Sequence, residues 1–119
     1  MQLRRLVVDG LGVVKGRFEI QDDDGRLSRI FEDAARRPRE GVPPITTLKS
    51  VVLSNRLTTK TVGLTKYSEV RVALVLRRPR QTITFYSDLL GALSDMAAEG
   101  VVAHELAHVW LNEHVGPEE

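Results

Sequence analysis

The chain has 119 residues, of which 42% are hydrophobic, 28% charged and 5% aromatic. Domains usually contain about 100–200 residues, so the length predicts a single domain over residues 1–119. With 17 Lys and Arg against 16 Asp and Glu, the net charge is +1, and this balance with an ordinary apolar fraction argues against a disordered chain. It also argues against a nucleic-acid partner, because nonspecific binding of nucleic acids depends on a large positive excess.

The chain contains no cysteine, which excludes disulfides, thiolate nucleophiles and zinc sites built from Cys ligands. This composition fits a reducing compartment. The longest apolar run, Val72–Leu76, is far shorter than the roughly 20 residues that span a bilayer. Asp9 interrupts the apolar residues that follow Arg4 and Arg5, so no signal peptide is indicated. We therefore predict a cytoplasmic protein without a membrane span.

The first elements in chain order are a β-hairpin over residues 6–20 and an amphipathic helix. Asp9-Gly10 favours a tight turn, and beyond it apolar residues alternate with charged ones, as in a half-buried strand. The alternating apolar residues are Val14, Phe18 and Ile20. The helix is indicated by apolar residues at helical spacing, namely Leu27, Ile30, Phe31, Ala34 and Ala35.

The acidic run Asp22-Asp23-Asp24-Gly25 precedes this helix. It lacks the wider ligand spacing and the downstream Glu of a calcium loop. We interpret it as the helix start, with Asp24 as N-cap and acidic charge near the positive end of the helix dipole. Pro38 is expected to end the helix.

The second half predicts strands followed by a C-terminal helix. The candidate strands are Leu48–Leu53, Thr58–Thr65, Val70–Leu76 and Gln81–Tyr86. Helical character extends from about Ser87 to Leu111, with a break near Gly91 or Ser94. The order predicts an α+β fold with one small mixed or antiparallel sheet, a helix in the N-terminal half and a C-terminal helix.

The chain has three histidines, all near its C-terminus, and two of them form the pattern H-E-x-x-H in His104-Glu105-Leu106-Ala107-His108. On a helix, positions i and i+4 project from one face about one turn apart. Both imidazoles can therefore reach a single Zn²⁺ at about 2.0–2.1 Å. Glu105 is rotated by about 100°, beside the metal, where it can accept a proton from water that the metal acidifies.

A helical His pair can also be an ordinary surface feature, but the residues around this pair are mostly apolar. A carboxylate buried in such surroundings needs a partner, and a metal supplies one. We take His114 as the predicted third ligand, which requires the chain to turn after His108, for instance at Asn112. The alternatives are Glu118, Glu119 or a residue outside this chain.

From Leu48 to Gly116 the sequence resembles the zincin-type metallopeptidases, in particular SprT-like domains and other very small zincins. The resemblance rests on residues 103–108 with His114, and on the strands that precede the helix. It implies a zincin-like fold, His104, His108 and His114 as zinc ligands, and Glu105 as general base. It also implies that a peptide or protein substrate lies along an edge strand, which Gln81–Tyr86 would provide. Tyr67 and Tyr86 are candidate donors to the oxyanion.

The sequence thus predicts a zinc-dependent metallopeptidase in which Glu105 activates water for attack on a peptide bond. The alternative is a zinc-binding regulatory or interaction domain with little or no catalysis. Glu105 favours the enzyme, because a structural zinc site needs no general base.

Overall fold

The computed structural model describes residues 3–37, 39–56, 63–71 and 77–116. Within these ranges the elements are β1 Arg4–Leu11, β2 Val14–Asp22, α1 Arg26–Ala35, β3 Leu48–Ser54, β4 Gly63–Arg71, β5 Arg77–Tyr86, α2 Ser87–Gly91 and α3 Asp95–His114. The strands form one five-stranded sheet in the order β1-β2-β3-β5-β4. The predicted α+β fold with a mixed sheet is confirmed. No helix in the described part of the chain has both the length and the apolar character needed to cross a lipid bilayer.

The strand order makes β5 an interior strand. It pairs with β3 in parallel on one side and with β4 in antiparallel orientation on the other. The prediction that Gln81–Tyr86 forms the sheet edge is therefore wrong, and in the described sheet the strand outside β5 is β4. The period-two pattern identified Gln81–Tyr86 as a strand but carries no information about its neighbours, because pairing is decided by contacts distant in sequence.

The N-terminal hairpin is confirmed, but its turn lies later than predicted. β1 continues past Asp9-Gly10 to Leu11, with an irregular register between Asp9 and Leu11, and the turn is made by Gly12 and Val13. Gly12 has φ of 54°, and a Cβ atom there would collide with the backbone carbonyl of Ala35. That carbonyl also accepts a hydrogen bond from the Val13 amide at 2.9 Å. The close approach of the turn to the end of α1 thus requires glycine.

The acidic run lies at the start of α1, as the sequence indicates, but the N-cap position is one residue later than predicted. The N-cap is Gly25, with φ of 90°, rather than Asp24. Asp24 Oδ1 accepts a hydrogen bond from the Arg26 amide at 3.0 Å, and Asp22 Oδ2 accepts from both the amide and the hydroxyl of Ser28 at 2.9 Å. The carboxylates therefore satisfy amides of the first turn that have no partner within the helix.

Helix α1 packs against β2 and against α3, while α3 packs against β4 and β5. All five residues of the predicted apolar stripe on α1 are buried, namely Leu27, Ile30, Phe31, Ala34 and Ala35. The helix ends at Ala35, and Pro38, its predicted terminator, lies outside the described residues. Asp95 and Glu99 of α3 form ion pairs with Arg26 and Arg37 on the side of α1 at 3.0 and 2.7 Å, which align the two helices.

Two further predictions concern the C-terminal half. β4 begins within the predicted strand Thr58–Thr65 and ends within Val70–Leu76, so residues 66–69, predicted as a connection, are strand. The rest of both predicted strands lies outside the described residues. The predicted helix break is confirmed, since α2 ends at Gly91 and the Ser94 hydroxyl caps α3 by accepting from the Ala97 amide at 3.2 Å.

Replacing Phe31 with alanine tests the core. Phe31 is fully buried, and its ring lies 5.7 Å from that of Phe18, centroid to centroid. We expect Phe31→Ala to lower the free energy of unfolding by about 3–5 kcal/mol, because lost burial and the remaining cavity both contribute. Urea denaturation measures the change. In the control Met96→Ala, at a residue that is 85% exposed, a change within about 0.5 kcal/mol is expected. Equal effects of the two variants would contradict the packing.

Candidate metal site on helix α3

Helix α3 carries the H-E-x-x-H residues near its middle, on a helix held from both ends. Ser94 caps its N-terminus, and Asp95 lies in the first turn, where negative charge favours the helix dipole. The buried residues of α3 form the side that faces the sheet and α1; they are Ala98, Val102, Glu105, Leu106 and Val109. The site therefore lies on a packed helix and not on a loop.

The two imidazoles meet on the outer flank of this helix. His104 Nε2 and His108 Nε2 are 3.0 Å apart, with ring centroids 4.5 Å apart in an edge-to-face arrangement. His104 is exposed and His108 half-buried. Two zinc–nitrogen bonds of about 2.0–2.1 Å at a tetrahedral angle would separate the nitrogens by about 3.4 Å. The observed spacing needs only a small opening of the rings to hold such an ion. Without a metal ion, the two nitrogens are linked by one hydrogen bond, in which one of them donates and the other accepts.

Glu105 points to the interior. Its side chain is only 6% exposed, and its position on the helix is rotated by about 100° from His104. Glu105 also takes part in an interaction apart from the histidine pair, so it is not without a partner. It does not form, with the His104 and His108 nitrogens, a cluster of ligand atoms mutually within 4.8 Å. Glu105 thus lies beside the pair rather than within it, and the general-base role stays a prediction.

His114 is held away from the pair. It is the last residue of α3, and its Nε2 lies 2.9 Å from the Pro44 carbonyl oxygen and 3.0 Å from Glu113 Oε2. Both oxygens are acceptors, so Nε2 carries a proton and presents no lone pair to a metal. The ring also packs against Trp110, at 4.9 Å between centroids. The structure therefore brings together two of the three predicted ligands and not the third.

The predicted turn after His108 is wrong, because tertiary hydrogen bonds keep the last turns of α3 helical. Asn112, expected to end the helix, instead donates from Nδ2 to Gln81 Oε1 at 3.0 Å. On a continuous helix, His114 then projects about 120° away from His108. The outcome depends on a partner from β5 that sequence spacing within α3 could not reveal.

Glu113 anchors the same end of the helix. Its Oε1 accepts hydrogen bonds from the Thr46 amide, the Thr47 amide and the Thr47 hydroxyl, at 2.7, 2.8 and 2.7 Å. Burial by itself raises the pKa of Glu113, but these hydrogen bonds and the nearby His114 outweigh it, so the pKa is lowered.

Sequence reasoning missed Gln81, a fully buried polar residue that connects β5 to this end of α3. A signal was available. The period-two pattern of the strand places Gln81 on the same face as the buried Ile83 and Phe85. A polar side chain at an inward position is an anomaly that requires a hydrogen-bond partner.

The two tyrosines predicted as oxyanion donors lie on different strands. Tyr86 ends β5, is half-buried and is the N-cap residue of α2. Tyr67 lies in β4, where its backbone is opposite that of Gln81, and its side chain is not part of what the structure describes. Neither tyrosine is thereby placed at the histidine pair, and both roles stay predictions.

The acidic run at the start of α1 is the one group of three carboxylate or imidazole side chains, within the described ranges, whose ligand atoms lie mutually within 4.8 Å. Its members are Asp22, Asp23 and Asp24. Asp22 and Asp24 already accept hydrogen bonds from the first turn of α1. The Arg26 amide lowers the pKa of Asp24, whereas burial raises that of Asp23. We interpret this cluster as a helix cap.

Comparisons with protein-family models, curated proteins and solved structures find no match to this chain. The resemblance to the zincins therefore rests on the residues quoted above, and membership of that family stays a prediction.

Replacing Glu113 with glutamine tests the anchor of α3. Because the pKa of Glu113 is lowered on folding, its charged form adds stability above the unfolded-state pKa, and this contribution is lost as the pH falls through the folded-state pKa. From about pH 6 down to about pH 2, the free energy of unfolding should fall further in the wild type than in Glu113→Gln. Urea denaturation at each pH measures this difference. Parallel curves would contradict the lowered pKa.

Proposed function

We propose that this protein binds Zn²⁺ through His104 and His108 and hydrolyses peptide bonds, with Glu105 as general base. The observation that carries the proposal is the convergence of two imidazole nitrogens to 3.0 Å on one helix, with a carboxylate on the residue that follows His104. In the described part of the chain, neither ring has a hydrogen bond other than the one between them.

The chemistry of the donors fits zinc. Neutral imidazole nitrogen is a preferred zinc ligand, and a catalytic zinc site combines three protein ligands with an open position. The pair supplies two nitrogens, and a third protein ligand would complete the site. Glu118 and Glu119, the other candidates from the sequence, lie outside the described residues. When bound, Zn²⁺ supplies a Lewis acid that acidifies water and polarises a peptide carbonyl.

In this proposal Glu105 performs the proton transfer, for which its carboxylate turns from its buried position toward the outer flank where the histidine pair lies. Its carboxylate takes a proton from the attacking water and delivers it to the leaving amide nitrogen. Glu105 follows His104 in sequence, so a change of its side-chain rotamer from the buried position is the movement that this role requires.

The sheet suggests where a peptide would lie. β4 is the strand outside β5, and α3 packs against it. In our proposal an extended substrate pairs by backbone hydrogen bonds with the side of β4 that has no neighbouring strand in the described sheet, as in β-strand addition to other sheet edges. This replaces Gln81–Tyr86, which the sequence had suggested for the same role.

Glu105→Gln tests the catalytic role. The amide keeps the size of the side chain but cannot accept the proton from water, so we expect peptide hydrolysis to fall by about 100-fold or more. Zinc content, measured by metal analysis of the purified protein, should stay as in the wild type. If Glu105→Gln hydrolyses a casein or peptide-library substrate at the wild-type rate, Glu105 is not the base.

Alanine variants of the histidines test the ligand assignment. His104→Ala removes one of two converging donors and should weaken zinc binding by about 100-fold or more, measured by competition with a chromogenic chelator. His114→Ala is the matched control, because its Nε2 is used by Pro44 and Glu113. It should change zinc affinity by less than about threefold. The reverse ranking would restore His114 as a ligand and remove the pair from the site.

A second candidate function is zinc binding without catalysis, in a regulatory or interaction domain. It is favoured by the burial of Glu105, which already has an interaction partner of its own. Stoichiometric zinc in a wild-type protein that cleaves no peptide would support this candidate, and hydrolysis that depends on Glu105 would exclude it.

A further inference from the structure

The buried amide of Gln81 joins three parts of the fold at one point. Gln81 is fully buried, and its Nε2 donates to Thr47 Oγ1 and to the backbone carbonyl of Val109, both at 2.9 Å. Its Oε1 accepts from Asn112 Nδ2 at 3.0 Å. Both amide hydrogens and the carbonyl oxygen are therefore used, each in a direction that the neighbouring backbone fixes.

Two of these bonds are made to α3 directly after the histidine pair. Val109 follows His108 in sequence, and Asn112 is four residues beyond His108, on adjacent parts of the helix surface. Attachment at two points three residues apart fixes both the rotation of the helix about its axis and its position along that axis. A rotation by one residue would move every side chain by about 100°.

Hydrophobic burial alone specifies this rotation poorly. The apolar residues of α3 are spread around the helix, whereas those of α1 are gathered on one side. A helix with apolar residues on most sides can bury similar surface in several orientations. Directional hydrogen bonds to a fixed strand distinguish between these orientations, because a wrong rotation leaves the buried amide of Gln81 without its two partners on α3.

We propose that Gln81, with Asn112, is a positioning residue that sets the rotation of α3, so that His104 and His108 converge on its outer flank while Glu105 points inward. This inference rests on the proposed metal site for its chemical consequence. In this role Gln81 acts through α3 and contacts neither substrate nor metal.

The test compares Gln81→Met with Thr82→Val. Methionine approximates the volume of glutamine without its hydrogen bonds. Thr82 is the next residue of β5, on the opposite face of the sheet, and accepts a hydrogen bond from the Ser50 hydroxyl at 3.1 Å. Its replacement removes a side-chain hydrogen bond of the same strand that does not reach α3. Circular dichroism and urea unfolding establish that each variant is folded.

The first measurement is Co²⁺ binding, since the d–d absorption of Co²⁺ reports ligand geometry directly. For Gln81→Met we expect affinity about 10- to 100-fold below that of the wild type, with an altered visible spectrum. Thr82→Val should keep the wild-type affinity and spectrum. A merely structural role would lower stability but leave the spectrum of the folded protein unchanged, and that result would overturn the proposal.

The second measurement needs no metal. Trp110 is the single tryptophan, lies on α3 and donates from Nε1 to the Pro43 carbonyl at 3.0 Å. A rotated helix changes the surroundings of this indole, so the fluorescence of metal-free Gln81→Met should shift relative to wild type and Thr82→Val.

If the wild type binds no Co²⁺ but this fluorescence shift occurs, the positioning role of Gln81 stands and the zinc proposal fails. If the wild type binds Co²⁺ and Gln81→Met matches it in both readouts, the positioning role fails alone.

If Gln81→Met does not fold, the variant Asn112→Leu tests the positioning role instead. Asn112 is half-buried, and its replacement removes one of the two attachments of Gln81 to α3. We expect a smaller loss of Co²⁺ affinity and a smaller change in Trp110 fluorescence than for Gln81→Met. Wild-type values in both readouts would overturn the proposal.

Discussion

The arrangement of this protein depends on the hydrogen bonds that fix the C-terminal half of α3 to the sheet. Gln81 reaches α3 from the interior strand β5, and Glu113 reaches back from α3 to the amides that precede β3. These bonds lie among buried or half-buried groups, where unsatisfied partners are costly. They keep the helix continuous to its end, and so they decide which of its side chains face outward and which face the core.

The consequences for the candidate site follow from that rotation. His104 and His108 share the outer flank with their nitrogens in contact, while Glu105 is turned toward the interior. The same continuity removes His114, whose nitrogen donates to oxygens at the other side of the helix. In the proposed metal site, these two imidazoles are the ligands that the described part of the chain supplies.

Local features of the fold could be predicted from the sequence, whereas features that depend on distant contacts could not. The stripe on α1, the alternation in β2 and the break before α3 were predicted, because each depends on periodicity or capping within a few residues. The predicted position of the hairpin turn was wrong. The turn lies at Gly12, where glycine is needed because the backbone approaches the end of α1, and this contact is distant in sequence. The edge assignment of Gln81–Tyr86 was also wrong, because strand order depends on contacts between distant segments.

By itself the sequence determined that two imidazoles and a carboxylate share one helix at a spacing that brings the imidazoles together, since helical geometry converts i and i+4 into neighbours wherever the helix lies. Only the tertiary structure decided that the helix runs on through Asn112, that His114 is bonded elsewhere and that β4 lies outside β5. Those outcomes depend on hydrogen bonds between residues some thirty to seventy positions apart, and no local pattern in the sequence contains them.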